Sequence, residues 1–134
     1  MAAKSNAAGR LPQITMETIG AHTVRVAHWH ALEPSDKRPL LFFNGIGANL
    51  ELAFGLGEWI TDREIITFDM PGVGESPAAK FPYRPWMMAR LARKLCDQYG
   101  MDDVDVMGVS WGGAMAQQFA FQYRKTVGKV ILAA

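Results

Sequence analysis

Apolar and polar positions change rhythm several times along the chain, and each change marks an element. Gln13 to Ile19 and Thr23 to Trp29 alternate partly between polar and apolar residues, with Gly20-Ala21-His22 between them. A period of two broken by a turn predicts a β-hairpin, placed at one edge of a sheet. After the polar, proline-punctuated linker Glu33 to Pro39, Leu40-Leu41-Phe42-Phe43 is a continuous apolar run, the pattern of a strand covered on both faces. Leu50 to Ile60 has loose helical spacing, weakened by Gly55 and Gly57, and Glu64 to Phe68 is a second buried strand. Behind Pro85, Met88, Leu91, Ala92, Leu95 and Tyr99 recur at helical spacing. Arg90, Arg93, Lys94 and Asp97 fall mostly on the opposite face, and Gly100 closes the helix. Val104 to Met107 is a third apolar strand, Gly113 to about Lys125 a helix with Ala116 and Ala120 one turn apart, and Lys129 to Ala133 a last strand.

A hairpin followed by strand-helix-strand-helix-strand-helix-strand predicts an α/β architecture. Its sheet is mostly parallel, with right-handed crossovers and helices on both faces. Residues 1–12 are expected to form a flexible tail, and 13–134 one incomplete domain of about six strands. In such sheets the working edge is the carboxyl end of the strands. Three loops meet there: Asn44 to Asn49, Asp69 to Ser76, and Gly108 to Gly113.

The third loop carries Gly108-Val109-Ser110-Trp111-Gly112, set between an apolar strand and a helical pattern. Gly-x-Ser-x-Gly arises often by chance, but strand before and helix after is the context in which it carries chemistry. A serine at the apex of that turn holds its hydroxyl above the sheet in a strained backbone conformation. Gly108 and Gly112 stand where strand and helix approach so closely that a Cβ would clash. Ser110 is therefore the candidate nucleophile. An oxyanion formed on its substrate needs two backbone donors: the N–H of Trp111, and an N–H from the Asn44-Gly45-Ile46-Gly47 loop, for which Ile46 is the choice. Asn44 and Gly45 support that loop. A plain turn would explain the glycines but not an exposed serine between them.

Composition narrows the alternatives. At 134 residues and 49% hydrophobic the chain holds a sizeable core. Fourteen basic against thirteen acidic residues leave a net charge of +1, which offers no electrostatic surface for nucleic acid. The first ten residues lack the apolar centre of a secretory signal, and no run reaches the roughly 18 apolar residues of a membrane span. The single cysteine, Cys96, excludes an internal disulfide, fits a reducing compartment, and reads as a buried thiol among Leu91, Leu95 and Tyr99. The three histidines, His22, His28 and His30, all belong to the hairpin or its exit. His28 and His30 would share a strand face, but no further ligand stands near them in sequence, so neither metal nor cofactor is expected.

Beyond the bare serine turn, Phe42-Phe43-Asn44-Gly45-Ile46-Gly47-Ala48-Asn49-Leu50-Glu51-Leu52 and Gly108 to Ala120 carry a resemblance. With the sheet order and the turn Asp69 to Ser76, they resemble the α/β-hydrolase fold, and within it the intracellular depolymerases of medium-chain-length poly(3-hydroxyalkanoates). The likeness runs from about Leu40 to Ala134. Many relatives carry His-Gly where this chain has Asn44-Gly45. Polyester synthases of related fold use cysteine where this chain has Ser110. The resemblance implies a cytoplasmic serine esterase, cleaving 3-hydroxyacyl esters at the surface of a polyester granule. A general carboxylesterase, thioesterase or acyltransferase would share the same nucleophile and oxyanion loop.

In this fold the acid and histidine follow the serine in chain order, and no Asp, Glu or His follows Ser110 here. Asp102, Asp103 and Asp105 lie at the far end of the serine's own strand, and Asp69 is expected to brace its turn. The expectation is an amino-terminal part of a larger enzyme, inactive by itself. Two readings of other classes stand beside it. A dinucleotide site on Gly45-Ile46-Gly47-Ala48-Asn49-Leu50 fails because Leu50 occupies the third glycine position. A non-catalytic binding scaffold of the same fold leaves the intact serine turn without a purpose.

Overall fold

The computed structural model describes residues 10–33, 35–45, 50–72, 76–78 and 84–133. Its elements are strands β1 (Gln13–Ile19), β2 (His22–Trp29), β3 (Leu40–Phe43), β4 (Ile65–Phe68), β5 (Val104–Val109) and β6 (Val127–Ala133), and helices α1 (Leu50–Trp59), α2 (Pro85–Gln98) and α3 (Trp111–Gln122). The six strands form one sheet in the order β1-β2-β4-β3-β5-β6. The hairpin is antiparallel and β2 joins β4 antiparallel, whereas β4-β3, β3-β5 and β5-β6 are parallel. The predicted α/β class and the edge position of the hairpin are both found.

The apolar runs of β3 and β4 are buried throughout because helices cover both faces. On one face Ala27, Trp29, Leu40, Phe42 and Ile65 pack with Ala53 of α1. On the other, Val26, Leu41, Phe43, Ile66 and Val106 meet α2 and α3 through Met88, Leu95, Met115 and Phe119. Gly57 lets α1 approach the sheet, since a Cβ there would stand 2.2 Å from the Trp29 indole nitrogen. Helix α2 starts at Pro85 and ends as its pattern predicts. Gly100, at φ 71°, lets Met101 N–H return to Cys96 O (2.9 Å) and its own N–H to Asp97 O (3.1 Å).

Several boundaries differ from the sequence reading. Strand β5 continues to Val109 and α3 starts at Trp111, so the turn is Ser110 alone, with Gly108 in the strand and Gly112 in the helix. In α3 the buried stripe runs through Gly112, Met115, Ala116 and Phe119, with Ala120 half-buried. Strand β6 begins two residues earlier than expected, at Val127. It is the outer strand, and Val130, Ile131 and Leu132 are exposed on it. Arg10, assigned from sequence to a flexible tail, is instead buried and tied down by hydrogen bonds from its guanidinium. No described helix is long and apolar enough to cross a membrane.

Candidate functional site at the carboxyl edge

Ser110 stands at the carboxyl end of β5 with φ 55° and ψ −121°. It is the one non-glycine residue at positive φ among those described. An L-residue there carries roughly 1–3 kcal/mol of backbone strain that its surroundings must hold. The surroundings do so from both sides. Its N–H donates to Ala133 O of β6 (3.0 Å), and its carbonyl accepts from Gly113 N–H (2.8 Å), the first turn of α3.

The two flanking glycines are sterically required. A Cβ on Gly108 would lie 2.1 Å from Gly112 O, and a Cβ on Gly112 would lie 2.1 Å from Phe43 O and 2.5 Å from Asn44 O. All of these neighbours are backbone atoms, so no side chain can swing away to make room. The crossing of β5, α3 and the end of β3 is thus packed main chain on main chain.

That crossing brings the loop after β3 against the serine. A Cβ on Gly45 would lie 3.8 Å from Ser110 Cβ and 3.5 Å from Val109 O. Gly45 N–H is held by Asn44 Oδ1 at 3.1 Å. Asn44, Gly45, Gly108, Ser110, Trp111 and Gly112 are therefore gathered at one place, as the sequence predicts; Ile46 lies outside the described residues. Ser110 is exposed and Trp111 half-buried. Trp111 is the first residue of α3, so its N–H is among the donors a helix cannot pair within itself, at the positive end of the helix dipole. An exposed hydroxyl beside such donors suits chemistry in which negative charge develops on an oxygen.

The acidic residues upstream hold structure. Asp69 follows β4, is buried, and takes part in the turn expected of it: its N–H donates to Arg25 O (2.9 Å), while Ser76 Oγ donates to Asp69 O (2.8 Å) and accepts from Arg25 N–H (2.8 Å). Asp105, at the opposite end of β5 from Ser110, accepts from Arg63 Nη1 at 2.8 Å and from Lys129 N–H at 2.8 Å. Cys96 is a fully buried thiol; burial pushes its pKa up to about 12.

The sequence reading missed a polar cluster at the amino-terminal edge of the sheet. His28 Nε2 lies 2.8 Å from Glu64 Oε2, and its ring meets those of His30 and Tyr99 edge-on at 4.4 and 5.0 Å. Burial is the main cause that lowers the His28 pKa. Glu64 supplies the neighbour that sequence spacing does not offer, because β2 and β4 pair antiparallel with Trp29 opposite Ile65.

A family model describing the alpha/beta hydrolase fold matches residues 38–134. Among curated proteins, a poly(3-hydroxyalkanoate) depolymerase of Ectopseudomonas oleovorans is 52% identical over 97 residues, covering 72% of this chain and 34% of that protein. A 1-acylglycerol-3-phosphate O-acyltransferase of Homo sapiens is 27% identical over 103 residues, covering 73% and 30%. The chain thus spans about a third of the length of the curated relatives it matches. A solved α/β hydrolase from Novosphingobium aromaticivorans superimposes with a TM-score of 0.79 at 20% identity, over 90% of this chain and 43% of that one. An epoxide hydrolase, CorEH, does so with a TM-score of 0.79 at 22% identity, over 90% and 41%. With its sheet order, its strand-turn-helix at Ser110 and a family match across most of its length, this chain belongs to the α/β-hydrolase family.

Proposed function

We propose that the whole protein is a serine hydrolase that cleaves the ester bonds of poly(3-hydroxyalkanoate), with Ser110 as its nucleophile. The observation that carries the reading is the Ser110 backbone, held at φ 55° between two glycines that no other residue can replace. In the proposed reaction Ser110 Oγ attacks the ester carbonyl and gives its proton to a histidine base. The carbonyl oxygen becomes an oxyanion, held by the N–H groups of Trp111 and Ile46. The C–O bond then breaks, the alcohol leaves with that proton, and water releases the acyl group from Ser110. The base and its acid are assigned to the two thirds of the relatives' length that this chain does not span, consistent with the absence of Asp, Glu and His after Ser110. The 134 residues alone are therefore expected to be inactive, since loss of a triad histidine removes about six orders of magnitude in turnover.

The substrate class rests on the depolymerase relative, and the proposal extends to action inside the cell at the surface of a polyester granule. The test is turnover of poly(3-hydroxyoctanoate) beside 4-nitrophenyl octanoate by the whole protein, with Ser110→Ala as control. Turnover of both, lost in Ser110→Ala, is expected. Turnover of the soluble ester alone would overturn the polyester reading in favour of a general esterase, thioesterase or acyltransferase.

A further inference from the structure

The amino-terminal edge of the sheet, away from Ser110, carries donors of the kind that bind metals. His28, His30 and Glu64 each offer one ligand atom, and these atoms all lie within 4.8 Å of one another. We propose that His28, His30 and Glu64 form a binding site for a divalent transition-metal ion of the zinc class, joining the end of β2 to the start of β4. The proposal does not depend on the chemistry at Ser110.

The donor set fits. Two imidazoles and one carboxylate suit zinc and its neighbours, whereas calcium and magnesium prefer oxygen donors throughout. Bonds of about 2.0–2.2 Å to a tetrahedral zinc ion would set neighbouring donors roughly 3.3 Å apart. His28 Nε2 and Glu64 Oε2 are already 2.8 Å apart. Bringing donors that lie within 4.8 Å to roughly 3.3 Å asks for side-chain movement of up to about 1.5 Å, which the exposed His30 and the part-exposed Glu64 can make.

The backbone beneath the donors is fixed more firmly than their side chains. Arg10 Nε and Nη2 donate to His30 O at 3.0 and 2.7 Å, and Nη2 also donates to Arg63 O at 2.8 Å, next to Glu64. One buried guanidinium thus clamps together the two segments that carry the ligands. Its charge opposes a cation, but its donors are committed to carbonyls, and Arg63 is paired with Asp105. Glu64 O further accepts from Leu40 N–H at 2.8 Å, which ties the site to the entry of β3. A cleft of about 410 Å³ opens onto His30 and Glu64. It provides an entry path, and room for water at the coordination position that three protein ligands leave open.

The test is titration of the untagged, metal-stripped whole protein with Zn²⁺ by calorimetry and with Co²⁺ by visible absorption. One equivalent is expected to bind at this site, with a Co²⁺ d–d band. His30→Ala and Glu64→Gln should each weaken that binding at least about tenfold, since losing even an outer partner of a ligand costs that much. Neither residue is in the core, so both variants should fold, and His22→Ala at the hairpin tip should bind as the parent does. Affinity unchanged in both His30→Ala and Glu64→Gln, or no Zn²⁺ uptake at millimolar concentration, would overturn the site.

Discussion

The two ends of the parallel strands are built from different materials. At the carboxyl edge, glycines and backbone atoms do the shaping: Gly108, Gly112 and Gly45 bring three segments together, and Ser110 is left exposed at their junction. At the amino edge charged side chains do it: Arg10 gathers four carbonyls, and Arg63, Asp105 and Lys129 N–H make one hydrogen-bonded group. The difference shows how one sheet serves two ends. A main-chain crossing leaves little room for adjustment, which suits a hydroxyl that must be held in an unfavourable conformation. A side-chain clamp grips backbone carbonyls and leaves the side chains of His30 and Glu64 at the surface, exposed and part-exposed.

The sharpest way to break this contrast is Gly112→Ala. Its Cβ would meet Phe43 O and Asn44 O, so β3 and α3 must separate, at a cost of about 4 kcal/mol or more. Chemical denaturation would measure it. At the other edge Asp105→Ala removes the 2.8 Å partner of Arg63, leaving it only the looser Asp62 at 3.9 Å, and leaves Lys129 N–H without that acceptor. Because Asp105 is buried, about 3 kcal/mol of stability should be lost, with the Ser110 turn intact. A loss as large at Asp105 as at Gly112, accompanied by collapse of the serine turn, would mean that the two ends are not separate. Ser110→Gly should act in the opposite direction, since glycine accepts φ 55° without strain. A gain of about 1–2 kcal/mol is expected, with loss of any serine reactivity.

Cys96, at neither end, gives a control with the smallest effect. Its folded-state pKa is raised from 9.0 to about 12, mainly by burial. The unfolded chain therefore loses its thiol proton first. This contribution to stability is complete below pH 9 and is lost as pH rises from there towards 12. Denaturation midpoints measured across that range should fall less steeply in Cys96→Ala. Iodoacetamide should modify the parent only when it unfolds.

Much of this was legible in the sequence for reasons that are local. The runs at β3 and β4, the 3.6-residue spacing of α2 and the Gly-x-Ser-x-Gly turn each state their own environment. The glycine at 108 could be explained in advance because the clash it avoids, with Gly112 O, lies within the turn, whereas Gly112 avoids Phe43 O and Asn44 O at the end of β3. What stayed hidden depends on pairing between distant segments. Insertion of β4 between β2 and β3 sets Glu64 beside His28, and no spacing along the chain reports it. Arg10 belongs to a stretch that reads as a tail because its partners are carbonyls, which carry no sequence signature. Helix α3 starts at Trp111, two residues before the expected Gly113, and there Gly112 packs against the end of β3, a contact that spacing along the chain does not report.

The most direct test of Ser110 is covalent. The whole protein, treated with a fluorophosphonate and digested, should carry the label on Ser110 alone, with none on Ser110→Ala. Label on another residue, or an unlabelled Ser110 in a folded whole protein, would contradict the nucleophile and favour a binding scaffold.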